Sequence, residues 1–219
     1  MASGGVPKPL YDRLRDDIIR GVLAPGERLR LDALKDRYGV GTGHLREVLG
    51  RLASQRFVVA EGQRGFEVAA VSIANLHEIA DLRLLLECSA IEQSFTNGDT
   101  AWESRVVAAH HMLARTEDAV ADGQDDSVYL WKQRDWEFHQ ALISACASRI
   151  LQDTHALVFD KYLRYQMIAL SFRGDVAAAE HREMLDCALE RDWRRACDIL
   201  QVHVRGGVAH ALGTGTISA

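Results

Sequence analysis

Asp135 and His139 are four residues apart, a spacing that puts a carboxylate and an imidazole on one face of a helix. Phe138, Leu142 and Cys146 continue that face, so both polar groups sit in an apolar stripe, where a carboxylate needs a partner. Two more histidines repeat the anomaly. His181 shares a stripe with Ala177, Met184, Leu185 and Ala188, and His203 shares one with Ala196, Leu200 and Gly207. Alone, each reads as a hydrogen-bonded core histidine. Taken with Asp135, they form a carboxylate and three neutral imidazoles on three helices, a ligand set suited to a divalent transition metal. Arg83 is also out of place, inside a stripe of Leu76, Ile79, Ala80, Leu86 and Ala90. It needs an anion, either Glu87 one turn on or the carboxylate of a bound ligand. Arg164, near Tyr162 and Tyr165, is a second cation of this kind. His44, His77, His110, His111, His155 and His210 do not fit the pattern and read as structural or surface residues.

The elements that must hold these groups are helices. From Asn75 onward the pattern predicts about six, with no convincing strand. The second spans Ala101 to Asp122 and ends in the polar loop Gly123 to Asp126. The third, Val128 to Cys146, carries Asp135 and His139. A long helix from Ile150 to Ser171 ends at Arg173-Gly174. Helices over Asp175–Glu190 and Asp192–Leu212 follow, then a frayed tail from Gly213 to Ala219. All three prolines lie before residue 26, so nothing later breaks a helix. The pattern is that of an all-α bundle.

The first seventy residues read differently. Leu10, Leu14, Ile18 and Ile19 make an amphipathic helix that ends at Gly21, and Ala24-Pro25-Gly26 turns the chain. A second helix runs from Leu31 to Tyr38 and stops at Gly39. A third turns Leu45, Val48, Leu49 and Leu52 inward and shows Arg46, Glu47 and Arg51 outside. Phe57 to Ala60 and Phe66 to Ala69 are strands joined by a turn over Glu61 to Gly65. Three short helices and a hairpin are the order of a winged helix-turn-helix, whose third helix enters the major groove. Arg46 is then the candidate for bidentate guanine readout. The glycines before the helix allow close backbone approach to phosphates. Ala70 to Ala74 joins the two parts, so residues 1–71 are assigned to the DNA-binding domain and 72–219 to the helical one.

Several motifs in the head carry a family resemblance: Leu23-Ala24-Pro25-Gly26-Glu27-Arg28-Leu29, Tyr38-Gly39-Val40, Leu45-Arg46-Glu47-Val48-Leu49 with Arg51-Leu52, and Arg64-Gly65-Phe66-Glu67-Val68. Through them the head resembles the GntR family of bacterial transcription regulators. The resemblance maps the recognition arginine to Arg46 and the wing tip to Gln63, Arg64 and Gly65. Thr42, Gly43, His44 and Arg51 complete the expected DNA-contacting set. Where many members carry Ser-Arg-Thr-Pro, this chain has Gly41-Thr42-Gly43-His44, a departure that bears on the operator sequence and not on the fold. The helical part looks like the FCD ligand-binding domain of the FadR-type branch. That domain's Asp-x-x-x-His motif and two later histidines map onto Asp135, His139, His181 and His203. The resemblance implies zinc, with nickel and manganese as alternatives, beneath a cavity for a small organic acid. It also turns Arg83 and Arg164 towards effector binding.

Composition fits this reading. The net charge of −5 is uneven: residues 1–71 hold 12 basic against 9 acidic side chains, and the remainder 14 against 22. A mildly basic head on an acidic body agrees with nucleic-acid contact by the head. Four cysteines without CxxC pairing, and no secretion signal, point to a reduced cytoplasmic protein. The expected function is a metabolite-responsive regulator, a repressor in the first instance, binding palindromic operator DNA as a homodimer away from membranes. The competing reading is a metal-dependent enzyme built on the Asp/His site. Against it, the chain has no His-Asp dipeptide, no Glu-x-x-His pair and no separate general base.

Overall fold

The computed structural model describes residues 8–62, 65–121, 127–170 and 173–217. The chain divides into two compact units, Met1–Val71 and Ser72–Ala219. The wing-tip residues Gln63 and Arg64 and the loop from Gly123 to Asp126 lie outside the described residues.

In the first unit, α1 (Leu10–Ile19), α2 (Leu31–Tyr38) and α3 (Thr42–Ser54) bury Leu14, Ile18, Leu34, Leu45, Leu49 and Leu52 against one another. Asp17 ties α1 to α2 by accepting from the Tyr38 hydroxyl at 2.5 Å and pairing with Arg37 at 3.2 Å. Gly39 ends α2 at φ 69°, the left-handed region that glycine adopts without strain. The hairpin strands are β2 (Val58–Ala60) and β3 (Phe66–Val68), registered Val58 to Val68 and Ala60 to Phe66. One strand was not expected. Arg28–Leu29 forms β1 antiparallel to β3, giving the order β1-β3-β2. A two-residue strand carries no alternation to read, and its pairing is set by the partner.

The second unit is helical throughout its described residues. Its elements are α4 (Ile73–Asn97), α5 (Thr100–Ala121), α6 (Ser127–Leu142), α7 (Arg149–Ile168), α8 (Asp175–Glu190) and α9 (Trp193–Gly213). Helix α4 packs on α7 and α9, and α5 packs on α6 and α8. Caps set the boundaries. Ser72, Ser148 and Asp192 accept the backbone N–H three residues on at 3.2, 3.2 and 3.1 Å. The Ser72 cap starts α4 two residues before the expected Asn75. Helix α6 stops at Leu142 and does not reach Cys146: the chain tightens into turns, with Ser144 N–H on Ala141 O at 3.1 Å and Cys146 N–H on Ile143 O at 3.0 Å, and the indole of the buried Trp102 donates to the carbonyls of Ala141 and Leu142 at 3.1 and 3.2 Å. Within the α4 stripe Leu84 is buried and Leu86 only half-buried. At the chain's end Ile217 is buried, against the expected fraying up to that point. No described helix is long and apolar enough to cross a membrane.

Candidate metal centre and nucleic-acid interface

Asp135 and His139 on α6, His181 on α8 and His203 on α9 converge in the middle of the helical unit. One ligand atom from each lies within 4.8 Å of all the others, and all four side chains are buried. Bonds near 2.1 Å place ligands of one ion at most about 4.2 Å apart. The side chains therefore need to close in by about half an ångström to share a metal.

What orients the imidazoles is a carboxylate behind each. His139 Nδ1 meets Glu87 Oε1, His181 Nδ1 lies 2.7 Å from Glu117 Oε1, and His203 Nδ1 lies 2.8 Å from Glu180 Oε2. A carboxylate at Nδ1 fixes that nitrogen as the donor and leaves the lone pair on Nε2. Asp135 Oδ1 sits 3.0 Å from His181 Nε2 and 3.5 Å from His139 Nε2. Yet Asp135 Oδ1, His139 Nε2 and His181 Nε2 are buried without a hydrogen bond. Three orphaned polar atoms aimed at one point, each costly if unsatisfied, fit a cation. The four residues can hold a metal ion, and the three carboxylates behind them raise the basicity of its ligands.

The electrostatics agree. Burial alone would raise the Asp135 carboxyl, but His139 and His181 hold it well below the ordinary carboxylate range. Burial disfavours charge on His181 too, but Asp135 and Glu117 push it up to about 9. His203 goes the other way: burial outweighs Glu180 and lowers it to about 3. Glu180, opposed by burial, is brought to about 2 by His203 and Arg173.

Arg83 takes the ion-pair alternative. Its Nε donates to Glu87 Oε2 at 2.9 Å, with both side chains fully buried, and its guanidinium lies 4.0 Å from the Phe159 ring centroid. The same carboxylate receives His155 Nε2 at 2.8 Å, so His155 braces the site. A cavity of about 20 Å³, room for about one water, opens beside the centre. Trp131, Lys132, Asp135, Tyr162, Gln166, Arg173, Ala177, His203 and Gly207 line it; Arg83 and Arg164 do not. The effector role expected for those two arginines has no support from the cavity. Lys132 and Arg173 supply its cationic wall instead. Neither stood out in the sequence: Arg173 sits at a helix boundary, and Lys132 resembles any helical lysine. Glu180 and Glu117 were missed for the same reason, whereas His155, on the face of Val158, Phe159 and Tyr162, could have been flagged by the rule that found His139.

In the head, Thr42, Gly43, His44, Arg46 and Arg51 are all exposed on α3. Arg46 has no hydrogen bond or ion pair among the described residues, whereas Arg51 lies on the Tyr11 ring at 4.0 Å. Gly41 caps α3 without a side-chain acceptor, leaving the first N–H groups of the helix free to meet a phosphate. Gly65 turns the wing at φ 95°.

Residues 8–68 match the model of bacterial regulatory proteins of the gntR family, and residues 78–206 match the FCD domain. The chain belongs to the GntR family of regulators. It is 36% identical over 204 residues to the HTH-type transcriptional regulator BphR of Paraburkholderia xenovorans (strain LB400), covering 91% of this chain and 82% of that one. With the HTH-type transcriptional repressor GlaR of Escherichia coli (strain K12) it shares 33% over 202 residues, covering 89% and 90%. A transcriptional regulator GntR from Rhodococcus sp. RHA1 has the same fold, with a TM-score of 0.75 at 24% identity over 93% of this chain and 96% of that one. This regulator is accordingly a DNA-binding protein with a winged helix-turn-helix head and a helical FCD domain, and not an enzyme.

Proposed function

We propose that this GntR-family regulator is a metabolite-responsive repressor whose FCD domain holds zinc on Asp135, His139, His181 and His203 and senses a small organic acid at that centre. The observation that carries this is the convergence of three orphaned buried ligand atoms on one point, each imidazole braced by its own carboxylate. The name of GlaR as a repressor supports the sign of regulation. Nickel or manganese would suit the same mixed N/O set. Two copies would place two heads on the half-sites of a palindromic operator. The acid would act by binding one arrangement of the heads better than another, since only differential affinity shifts such an equilibrium.

In the head, Arg46 would read a base edge, with Thr42, Gly43, His44, Arg51 and Gly65 at the backbone and Gln63 and Arg64 at the wing tip. The test uses a duplex selected from a random pool by the full-length protein. Arg46→Ala should weaken specific binding by about 5- to 150-fold, the worth of one bidentate base contact, with unchanged metal content. Equal affinity and equal sequence preference in the variant would remove Arg46 from the recognition set.

A further inference from the structure

Two of the four thiols meet where α4 packs on α9. Cys88 lies in the middle of α4 and Cys197 in the second turn of α9, and both are free. Cys197 Sγ stands 3.8 Å from the carbonyl oxygen of Cys88, and the two thiols are in hydrogen-bond contact. They are not equally accessible. Cys88 is half-buried and lines an open groove between the two helices, beside Leu84, Leu85 and Trp193, whereas Cys197 is buried and does not line it. The other two cysteines are closed off. Cys146 is buried and donates to Gln93 Oε1 at 3.3 Å, and Cys187 is fully buried, where desolvation pushes its thiol up.

The contact makes the paired sulfurs chemically different. Donation from Cys197 favours a thiolate on Cys88 and lowers that thiol below its ordinary value, against burial, Glu87 and Asp198. The same bond, with burial, pushes the Cys197 thiol up. The thiolate is the form that attacks an oxidant, and an accessible thiolate with a second thiol beside it is the arrangement that ends in a disulfide. The sulfurs must then close to about 2 Å, which side-chain rotation and a small approach of the helices provide.

We propose that Cys88 and Cys197 are a peroxide-reactive thiol pair, with Cys88 the attacking sulfur and Cys197 the resolving one, whose reversible disulfide fastens α4 to α9. In the first step the Cys88 thiolate displaces hydroxide from hydrogen peroxide: an S–O bond forms, the O–O bond breaks, and the hydroxide leaves with a proton as water. In the second the Cys197 sulfur attacks the sulfenic acid: an S–S bond forms, the S–O bond breaks, and the hydroxyl leaves with the thiol proton as water. The two thiols lose two electrons, and one peroxide becomes two waters. Neither sulfur is a ligand of the metal centre, so the pair does not depend on the sensing function proposed above.

The test treats full-length, reduced, zinc-loaded protein with a few equivalents of hydrogen peroxide. The thiol count in denaturant should fall from four to two, and peptide mapping without reductant should find Cys88 joined to Cys197 within one chain. Dithiothreitol should restore all four thiols. Cys88 should be consumed at least tenfold faster than Cys146 or Cys187. In Cys197→Ser the sulfenic acid on Cys88 should persist and be trapped by dimedone, whereas Cys88→Ser should leave Cys197 a thiol. Zinc content and far-UV circular dichroism in each variant report that the helical unit is formed; the mapping of wild type decides the pairing even where a variant fails to fold. A wild type that keeps four thiols overturns the proposal. So does a disulfide between other cysteines, or one between two chains through Cys88. A folded Cys197→Ser that yields no sulfenic acid at Cys88 removes its role as the attacking sulfur.

Discussion

At the scale of single residues, the histidines of the centre are not equivalent. His203 is neutral at any working pH, since burial lowers it to about 3, and it offers its Nε2 lone pair without competition from a proton. His181 differs: despite burial, Asp135 and Glu117 raise it to about 9, so in the metal-free protein it carries a proton. Its folded value lies above the unfolded 6.5, so this proton stabilises the metal-free fold fully below about pH 6.5, and the contribution is lost as pH rises through about 9. A metal needs the neutral ring and takes the place of that proton. Zinc uptake near pH 7.5 should therefore release about one proton from His181, and affinity should rise about tenfold per pH unit until about pH 9. Titration calorimetry in buffers of different ionisation enthalpy, with chelator competition at several pH values, measures both. Uptake without proton release would mean that His181 is neutral beforehand or is not a ligand.

At the scale of elements, the centre depends on how closely α7 approaches α9. Tyr162 donates to the carbonyl of Val204 at 3.0 Å and Gln166 to that of Gly207 at 3.1 Å, so two α7 side chains are bonded to the α9 backbone. That approach requires a glycine. A Cβ at Gly207 would lie 2.2 Å from the Tyr162 hydroxyl. Gly207→Ala should push Tyr162 off its acceptor and destabilise the helical unit by about 1–3 kcal/mol, the usual range for overpacking. A denaturant titration that gives wild-type stability would show that α9 can shift to absorb the methyl. Gly207 also shows where sequence reading stops. Its place in the His203 stripe was legible, because α9 is amphipathic at helical spacing, and the same logic found all four residues of the cluster. The Tyr162 hydroxyl above it was not legible, because which helix faces which is a tertiary fact that no stripe encodes. Lys132, Glu117 and Glu180 were hidden likewise: a charged residue at a helical position reads as solvated until another helix is seen to cover it. Arg83 had two readings from its position, and the placement of Glu87 decided for the ion pair.

At the scale of the whole molecule, a basic head of net charge +3 and an acidic body of −8 have separate cores. Their stabilities should respond to different variables. The body has carboxylates and imidazoles drawn from α4, α5, α6, α8 and α9 around one point, and without a metal His139 Nε2 is buried there with no hydrogen bond. An ion that binds only the folded body stabilises it by mass action, about 4 kcal/mol when free metal exceeds the dissociation constant a thousandfold. For a unit of this size each kcal/mol moves the melting temperature by about 2–4 °C, so chelation should lower it by about 8–16 °C. The head contributes no residue to that cluster, and its transition should stay where it is. Differential scanning calorimetry of the full chain, with zinc and with excess chelator, should therefore show one transition that moves and one that does not. Restoring zinc should return the moving transition, which separates a metal effect from irreversible damage. Two transitions that fall together on chelation would mean that the head leans on the body for its stability, whereas no shift in either would remove the metal from the account of how the helical unit is held.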